Sequence, residues 1–128
     1  MNQLIAKVIH IEHVNNLNRL KFMLKTEVIH MLSLEIQSHL KVGDEVKLSV
    51  KSTNISFAKN FSGVLSFSNQ IKGTIVMVNN GKLLSSILVN VEGFMLESLI
   101  SVDASLQMNL EQGDDVLVLI EGSNISLC

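Results

Sequence analysis

The chain has 128 residues and a net charge of -2 at neutral pH, with one cysteine and no proline. General nucleic-acid binding needs a basic surface that releases counterions, so this charge argues against that class. The single cysteine excludes an internal disulfide and a cysteine cluster for metal. Hydrophobic residues make up 47% of the chain but aromatic residues only 4%, which predicts a core of Leu, Ile and Val, the residues that favour strands.

The start of the sequence carries no recognisable targeting signal. Met1 leads directly into an alternating strand pattern rather than into a basic segment and an apolar run, which argues against a signal peptide. No apolar run approaches the roughly 20 residues that a membrane-spanning helix needs. We therefore expect a soluble, cytoplasmic protein without membrane insertion.

Hydrophobic and polar residues alternate through much of the first half, a pattern typical of half-buried strands. Residues 3–14 form the longest such stretch, and one face of this predicted strand carries Leu4, Ala6, Val8 and His10. The other elements predicted in this half are strands at 19–25, 28–34 and 45–51, a short arm at 52–59, and one helical turn at 35–40.

The second half repeats this order of elements. We predict strands at 71–78, 83–91, 94–101 and 116–120, and a short helix at 102–110. The strand at 116–120 is apolar without alternation, which predicts burial on both faces. Asn80 and Gly81 separate the first two strands and predict a hairpin with a type I′ turn, because both residues tolerate positive φ angles.

Two 18-residue segments of the chain are similar to each other. Residues 41–58 align with residues 111–128 at an offset of 70, and Asn2-Gln3-Leu4 aligns with Asn69-Gln70-Ile71 at an offset of 67. The identical pairs in the longer alignment are Gly43/Gly113, Asp44/Asp114, Val46/Val116, Asn54/Asn124, Ile55/Ile125 and Ser56/Ser126. A repeat of this length indicates two small domains, or one pseudo-symmetric domain.

The repeated order of short strands predicts an all-β fold of two tandem OB-like small β-barrels, each with a short helical turn. A doubly wound α/β fold is disfavoured because no long helix separates the strands. The boundaries that we predict are a first repeat at 1–59, a linker at 60–65 and a second repeat at 66–128. A core of about 60 residues is marginal alone, so the repeats should pack together or oligomerise.

The motifs of the second repeat occur in a characteristic order. Ser66-Phe67-Ser68-Asn69-Gln70-Ile71-Lys72-Gly73 opens it, the Asn-Gly hairpin follows, and Gly122-Ser123-Asn124-Ile125-Ser126 ends it. This order resembles the Mop domain, also called TOBE, and the tandem resembles the di-Mop arrangement. The resemblance covers nearly the whole chain. It implies OB-like barrels that bind molybdate or tungstate without an organic cofactor, as a homo-oligomer (dimer or trimer) with sites between subunits.

A tetrahedral oxyanion offers only hydrogen-bond acceptors, so its pocket needs backbone N–H groups, hydroxyls and a lysine as donors. The resemblance implies these donors at the family's motif positions. Its terminal Lys-Ala/Ser motif falls on Lys51, Ser52 and Thr53, and its opening Ser-x-Arg-Asn motif falls on Ser66, Ser68 and Asn69. A family Thr or Ser that reaches the anion in related domains falls on Ser101.

This sequence departs from the family pattern at three places. Ser68 stands where the family has Arg, Glu121 stands where the second repeat should have Lys, and the first repeat begins at Met1 without the opening Ser and Arg. A complete site would therefore combine Lys51 and Ser52 of one repeat with Ser66, Ser68 and Asn69 of the other, within a chain or across an interface.

Other interpretations of these residues stay open. Lys51 could be a solvated surface lysine, and the repeated Asn-Ile-Ser could be a structural turn. The chain could also be a degenerate TOBE pair that binds no anion and docks onto a molybdate importer ATPase or a regulator, a transport component. No catalytic constellation emerges, which indicates a protein that is not an enzyme. His10 and His13 would lie on opposite faces of a strand, which argues against zinc.

Overall fold

The computed structural model describes residues 2–34 and 39–128. In this part of the chain, the first repeat contains β1 (Asn2–Val14), β2 (Leu17–Met23), β3 (Val28–Ser33), β4 (Glu45–Val50) and β5 (Ser56–Ala58). The second repeat contains β6 (Asn69–Asn80), β7 (Leu84–Val91), β8 (Phe94–Ser101), α1 (Val102–Gln107), β9 (Asp115–Ile120) and β10 (Ile125–Leu127). Short 3-10 turns at Ser52–Asn54 and Gly122–Asn124 precede β5 and β10.

The strands form two antiparallel five-stranded sheets that exchange their last strands. The first sheet has the order β10-β4-β1-β2-β3 and the second has the order β5-β9-β6-β7-β8. Ile125 of β10 therefore pairs with Val50, while Phe57 of β5 pairs with Val118. The fold is all-β with two OB-like units, as the sequence predicts. The sequence repeat ends between β5 and β6, but each sheet takes one strand from the other repeat.

The exchange happens at two equivalent segments, which we call the crossovers: residues 51–55 and residues 121–125. Each crossover starts extended at Lys51 or Glu121, passes through the 3-10 turn, and returns to extended backbone at Ile55 or Ile125. Both isoleucines are buried, at 0% and 4% exposure. The crossovers are thus anchored in the core and carry their polar residues at the surface.

A β-bulge in each long strand changes the faces that alternation predicts. The register of β1 shifts between Val8 and His10, and that of β6 shifts between Ile75 and Met77, the equivalent place. Leu4, Ala6 and Val8 are buried, whereas His10, predicted on the same face, is exposed. The prediction of a shared face is wrong at His10 because the extra residue in the bulge reverses the alternation.

The hairpin between β6 and β7 forms, but its predicted turn type is wrong. Neither Asn80 nor Gly81 has a positive φ angle. The Asn80 side chain instead accepts hydrogen bonds from the hydroxyls of Ser85 and Ser105, so contact with α1 shapes this loop. Positive φ at both central residues occurs in the two-residue loop Glu92-Gly93 between β7 and β8, with φ of 51° and 93°, as a type I′ turn requires.

The other predicted elements agree with the structure to within a few residues. The predicted helix at 102–110 begins where α1 begins and ends three residues later than α1, at 110 rather than 107. The strand at 116–120 is buried on both faces in most of its length, as its unbroken apolar run predicts. The predicted helical turn at 35–40 falls mainly on residues 35–38, which lie outside the described residues. No helix of the described chain is long and apolar enough to cross a membrane.

One continuous hydrophobic core contains residues from both repeats. It is formed by aliphatic side chains and a single fully buried aromatic residue, Phe22. Its fully buried members besides Phe22 include Leu4, Leu20, Ile29, Leu48, Ile55, Ile71, Ile75, Ile87, Leu96 and Ile120. Because both repeats supply these residues, each should stabilise the other.

A lysine at the end of the first repeat also contacts the second repeat. Lys59 Nζ lies 2.9 Å from Asp114 Oδ2 and donates to the carbonyl oxygens of Asn109 (2.7 Å) and Met108 (3.2 Å). The hydrogen bond from Lys59 lowers the pKa of Asp114, and the backbone N–H of Glu111 lowers it further.

Candidate functional site

A polar cavity of about 360 Å³ opens at the crossovers. Its lining comes from both repeats: Ser49, Val50, Lys51, Asn54, Ser123, Asn124 and Ser126. Of these lining residues, Lys51 alone is charged, and no carboxylate is among them. Hydroxyls, amides and one ammonium group offer hydrogen-bond donors, so the cavity can accommodate an acceptor-only anion.

Strand exchange brings these residues together. Lys51 follows directly after β4, and β10 pairs with β4 so that Ser126 lies opposite Ser49. The 3-10 turns then place Asn54 and Asn124, equivalent residues of the two repeats, at the same cavity. A single repeat with its own last strand would lack half of this lining.

The structure places Ser52 and Thr53 beside this cavity but not in its lining. The Ser52 hydroxyl lies 3.4 Å from the Glu97 carboxylate and hydrogen-bonds to it. Thr53 is exposed in the middle of the 3-10 turn. Of the seven residues that the family resemblance implies, Lys51 is the one that lines the cavity.

The side chain of Asn69 binds protein backbone rather than open solvent. Its amide donates to the His30 carbonyl oxygen at 2.9 Å and accepts from the His30 N–H at 2.7 Å. Asn2, the equivalent residue, makes the same pair of bonds to Glu97, at 2.7 and 2.8 Å. Asn69 is 1% exposed. The two asparagines therefore join each repeat to a strand of the other.

The remaining predicted residues are not among the residues that line this cavity. The Ser68 hydroxyl accepts a 3.3 Å hydrogen bond from the Gly122 N–H, and Ser66 is exposed in the segment before β6. Ser101 caps α1, its hydroxyl accepting from the Ala104 N–H at 3.1 Å. Among the described residues, no hydrogen bond joins these serines to Lys51 or Ser52.

Comparison with known proteins places the second repeat in a family. Residues 65–127 match the TOBE domain. This part of the chain is a TOBE domain. The first repeat has the same strand order as the second and likewise ends in one crossover, so the two repeats share one fold.

The whole chain also resembles a complete solved structure. It superimposes on the cytoplasmic molybdate-binding protein ModG, in a crystal form grown from polyethylene glycol with molybdate bound, with a TM-score of 0.90. The match covers 98% of this chain and 94% of that chain, at 22% sequence identity. At this identity, the likeness establishes the fold. A search of curated proteins found no match.

The crossover cavity has lining residues that sequence reasoning missed. Ser49 and Ser126 face each other across the β4–β10 pair, and Ser123 belongs to the second crossover. The repeated Asn-Ile-Ser was the available signal, because Asn54 and Asn124 both line the cavity. Read within one repeat, that motif indicates only a turn; the strand exchange makes it part of a shared cavity.

A larger cavity of about 680 Å³ in the TOBE domain suits an anion less well. Its lining includes Lys72 but also the carboxylates Glu92 and Asp115. Partial burial raises the pKa of Glu92, but hydrogen bonds from the Thr26 hydroxyl and from the backbone N–H groups of residues 25–27 outweigh it, so the pKa is lowered overall. Glu92 therefore stays ionised, binds the Lys25 N–H at 2.8 Å, and repels an oxyanion.

The described residues contain no group of three or more His, Cys, Asp or Glu side chains placed to hold a metal ion. His10 and His13 are both exposed on β1, outside any such group.

His30 gives the protein a pH-dependent stability. Burial lowers the pKa of His30 below 6.5, and the positive charges of Lys21 and Arg19 lower it further. The folded state therefore favours neutral His30. The stability that neutral His30 contributes is complete above the pKa that His30 has in the unfolded chain. It is lost as the pH falls through the lower pKa that His30 has in the folded protein.

We expect the melting temperature to decline below pH 6.5, and His30→Gln to make that decline shallower in thermal unfolding scans from pH 5 to 8. An equal decline in both proteins would assign the effect to other groups.

Proposed function

We propose that this chain binds the tetrahedral oxyanions molybdate and tungstate in the cytoplasm, as a store, buffer or delivery protein without enzymatic activity. The observation that carries the proposal is the cavity at the crossovers, where Lys51 is the one charged lining residue and no described lining residue is a carboxylate. ModG, which shares the fold at a TM-score of 0.90, is a cytoplasmic molybdate-binding protein. The TOBE match supports the same function.

The proposed role of each residue follows from its donors. Lys51 supplies the positive charge, which offsets part of the cost of removing a dianion from water. Asn54 and Asn124 supply amide N–H donors, and Ser49 and Ser126 supply hydroxyl donors. Molybdate and tungstate have the same charge and shape, so both fit this donor set.

In this proposal, the site is complete only if a second copy of the chain contributes some of the other predicted residues, which are Ser52, Thr53, Ser66, Ser68 and Ser101. Ser66 and Ser68 are exposed, as is Ser101, so a neighbouring copy could present them to Lys51. This requires a homo-oligomer, a dimer or a trimer. Asn69 positions β3 against the second repeat rather than binding the anion, because its amide is already bonded to His30.

A second candidate function is a docking module that binds no anion and recognises an importer ATPase or a regulator. The Glu97 carboxylate favours this alternative, because it lies 3.4 Å from the hydroxyl of Ser52. Ser52 directly follows Lys51 in the chain. Glu121, which occupies the position equivalent to Lys51, favours it as well. Carboxylates so close to the crossovers oppose binding of a dianion.

Isothermal titration with molybdate, tungstate, sulfate and phosphate, together with thermal unfolding, separates the two functions. Oxyanion binding predicts saturable heat with molybdate and tungstate. An anion at about 100 times its dissociation constant should add roughly 2.7 kcal/mol to the free energy of unfolding. Absence of heat and of any thermal shift with all four anions, in a folded sample, would favour the docking module.

A further inference from the structure

The larger cavity, of about 680 Å³, is a trough on the outer side of the second sheet. Strands β6 and β9 form its floor, where Lys72 pairs with Leu117 and Thr74 pairs with Asp115. The residues that alternate with these four along both strands are buried, so the four side chains point outward. A cavity of this volume is large enough for a small organic molecule.

The linker after β5 forms one wall of the trough through Asn60 and Phe61. The start of this wall is fixed by Lys59, whose ammonium group binds Asp114 and two backbone carbonyl oxygens of the second repeat. Gly63, with a φ angle of 141°, brings the chain so close to Phe61 that an added Cβ would lie 3.1 Å from the ring. Phe61 is 44% exposed, so its ring offers apolar surface at the cavity rather than in the core.

On the β7 side, the wall of the trough contains the carboxylate of Glu92. The backbone N–H groups of Lys25 and Thr26 donate to it at 2.8 and 3.0 Å, and the Thr26 hydroxyl donates to it as well. Partial burial acts against its ionisation, but these neutral donors outweigh burial and lower the pKa of Glu92. The donors occupy most of the carboxylate's lone pairs but bring no positive charge. Glu92 therefore supplies a fixed negative charge to the trough.

The three charged side chains in the trough lining are Lys72, Glu92 and Asp115, and within the described part of the chain none of them is in an ion pair. Lys72 and Asp115 are diagonal neighbours on paired strands, a spacing of roughly 7 to 8 Å. The Asp115 carboxylate accepts a hydrogen bond from the Thr74 hydroxyl at 3.3 Å. A cation and two anions thus face one cavity without neutralising each other.

These charges define the ligand that the trough suits. Two carboxylates and one ammonium group are complemented by a molecule that has two cationic groups and one carboxylate. Phe61 and Leu117 add apolar surface for an aliphatic chain, and an aromatic ring also attracts a cation. A basic α-amino acid has this combination: an α-ammonium group, an α-carboxylate, and an aliphatic side chain that ends in a second cation.

We propose that the trough binds a basic α-amino acid of the class of L-arginine and L-lysine. The α-carboxylate of the ligand pairs with Lys72, and one of its cationic groups binds Asp115. Its second cationic group lies in the field of Glu92, and its aliphatic chain contacts Phe61 and Leu117. This site is separate from the proposed oxyanion site, because the trough and the crossover cavity share no lining residue.

Isothermal titration of the full chain with L-arginine and with L-lysine tests the proposal. We expect saturable heat with at least one of the two, and the same affinity when molybdate is present. Agmatine lacks the carboxylate of arginine, and L-norleucine lacks the side-chain cation of lysine. Each should bind about tenfold more weakly than its parent amino acid, because each loses one charge-assisted interaction.

Two variants assign the binding to the trough. Asp115→Asn and Lys72→Gln should each weaken the binding of the amino acid about tenfold. Lys72→Gln should not weaken the binding of agmatine, because agmatine has no carboxylate for Lys72. The matched controls are Lys82→Gln and Glu111→Gln, which make the same charge changes at exposed positions outside the trough. Both controls should bind the amino acid like the unaltered chain.

Three results would overturn the proposal. The first is no saturable heat with either amino acid at about 10 mM, a concentration that detects even millimolar affinity. The second is unchanged affinity in Asp115→Asn. The third is an equal loss in Lys72→Gln and Lys82→Gln, which would assign the effect to overall charge. Melting curves confirm that each variant is folded, and titration with molybdate tests the oxyanion site independently of all three.

Discussion

Lys51→Ala is expected to weaken molybdate binding roughly 10- to 100-fold, because a charge-assisted hydrogen bond contributes about 1.5 to 3 kcal/mol. Lys51 is the charged residue among the described residues lining the crossover cavity, so its removal leaves only neutral donors there. The stability of the protein itself should change little, since Lys51 is exposed. Isothermal titration with molybdate and thermal unfolding without it measure the two quantities separately.

Lys47→Ala is the matched control for this experiment. Lys47 lies on β4, the strand that ends just before Lys51, and it is exposed but does not line the cavity. Its substitution removes the same charge. Its molybdate affinity should stay within about twofold of that of the unaltered protein, the scale of a distant, screened surface charge. Equal weakening by both variants would show that the effect comes from overall charge, and unchanged affinity in Lys51→Ala would remove this cavity as the site.

The second large effect concerns stability. Asn69→Ala should lower the free energy of unfolding by roughly 2 to 4 kcal/mol, because it removes a buried side chain and leaves the part-buried N–H and carbonyl oxygen of His30 without their partner. That loss corresponds to a decrease of roughly 10 °C in melting temperature for a chain of this size. Urea unfolding followed by circular dichroism gives the free energy directly.

Two comparisons define the origin of that loss. Asn2→Ala removes the equivalent bonds to Glu97 and should destabilise the protein by a similar amount, whereas Gln70→Ala, on the exposed face of β6, should cost less than 1 kcal/mol. A change below about 0.5 kcal/mol in Asn69→Ala would mean that solvent or neighbouring groups replace its hydrogen bonds.

Alternation and turn chemistry predict most of the strands of this fold. They fail where one residue disturbs the period: the bulge after Val8 turns His10 away from the face of Leu4 and Val8, whereas plain alternation would keep it on that face. They fail again at Asn80, whose side chain binds Ser85 and Ser105 rather than leaving the backbone free for a tight turn. At Asn80 a contact with Ser105, 25 residues later in the chain, overrides the local preference of the Asn-Gly pair.

The candidate site is harder to predict, because its residues are combined by strand exchange. Lys51 is recognisable from the family motif. The residues that line the same cavity from the second repeat, Ser123, Asn124 and Ser126, lie near it only because β10 pairs with β4. Periodicity within one repeat cannot show which sheet its last strand will enter. Asn69 illustrates the opposite case: its motif position implies a ligand, whereas the fold uses its amide to hold His30.

The exchange of β5 and β10 also has a consequence for how the protein is made. Ile125 pairs with Val50, some 75 positions earlier, so the first sheet cannot close while the ribosome is still adding the second repeat. During that interval β4 presents an unpaired edge, the kind of surface on which nascent chains aggregate. We expect folding to be slow and cooperative over both repeats, since its decisive contacts are long-range. The edge of β4 therefore closes only once translation has reached β10.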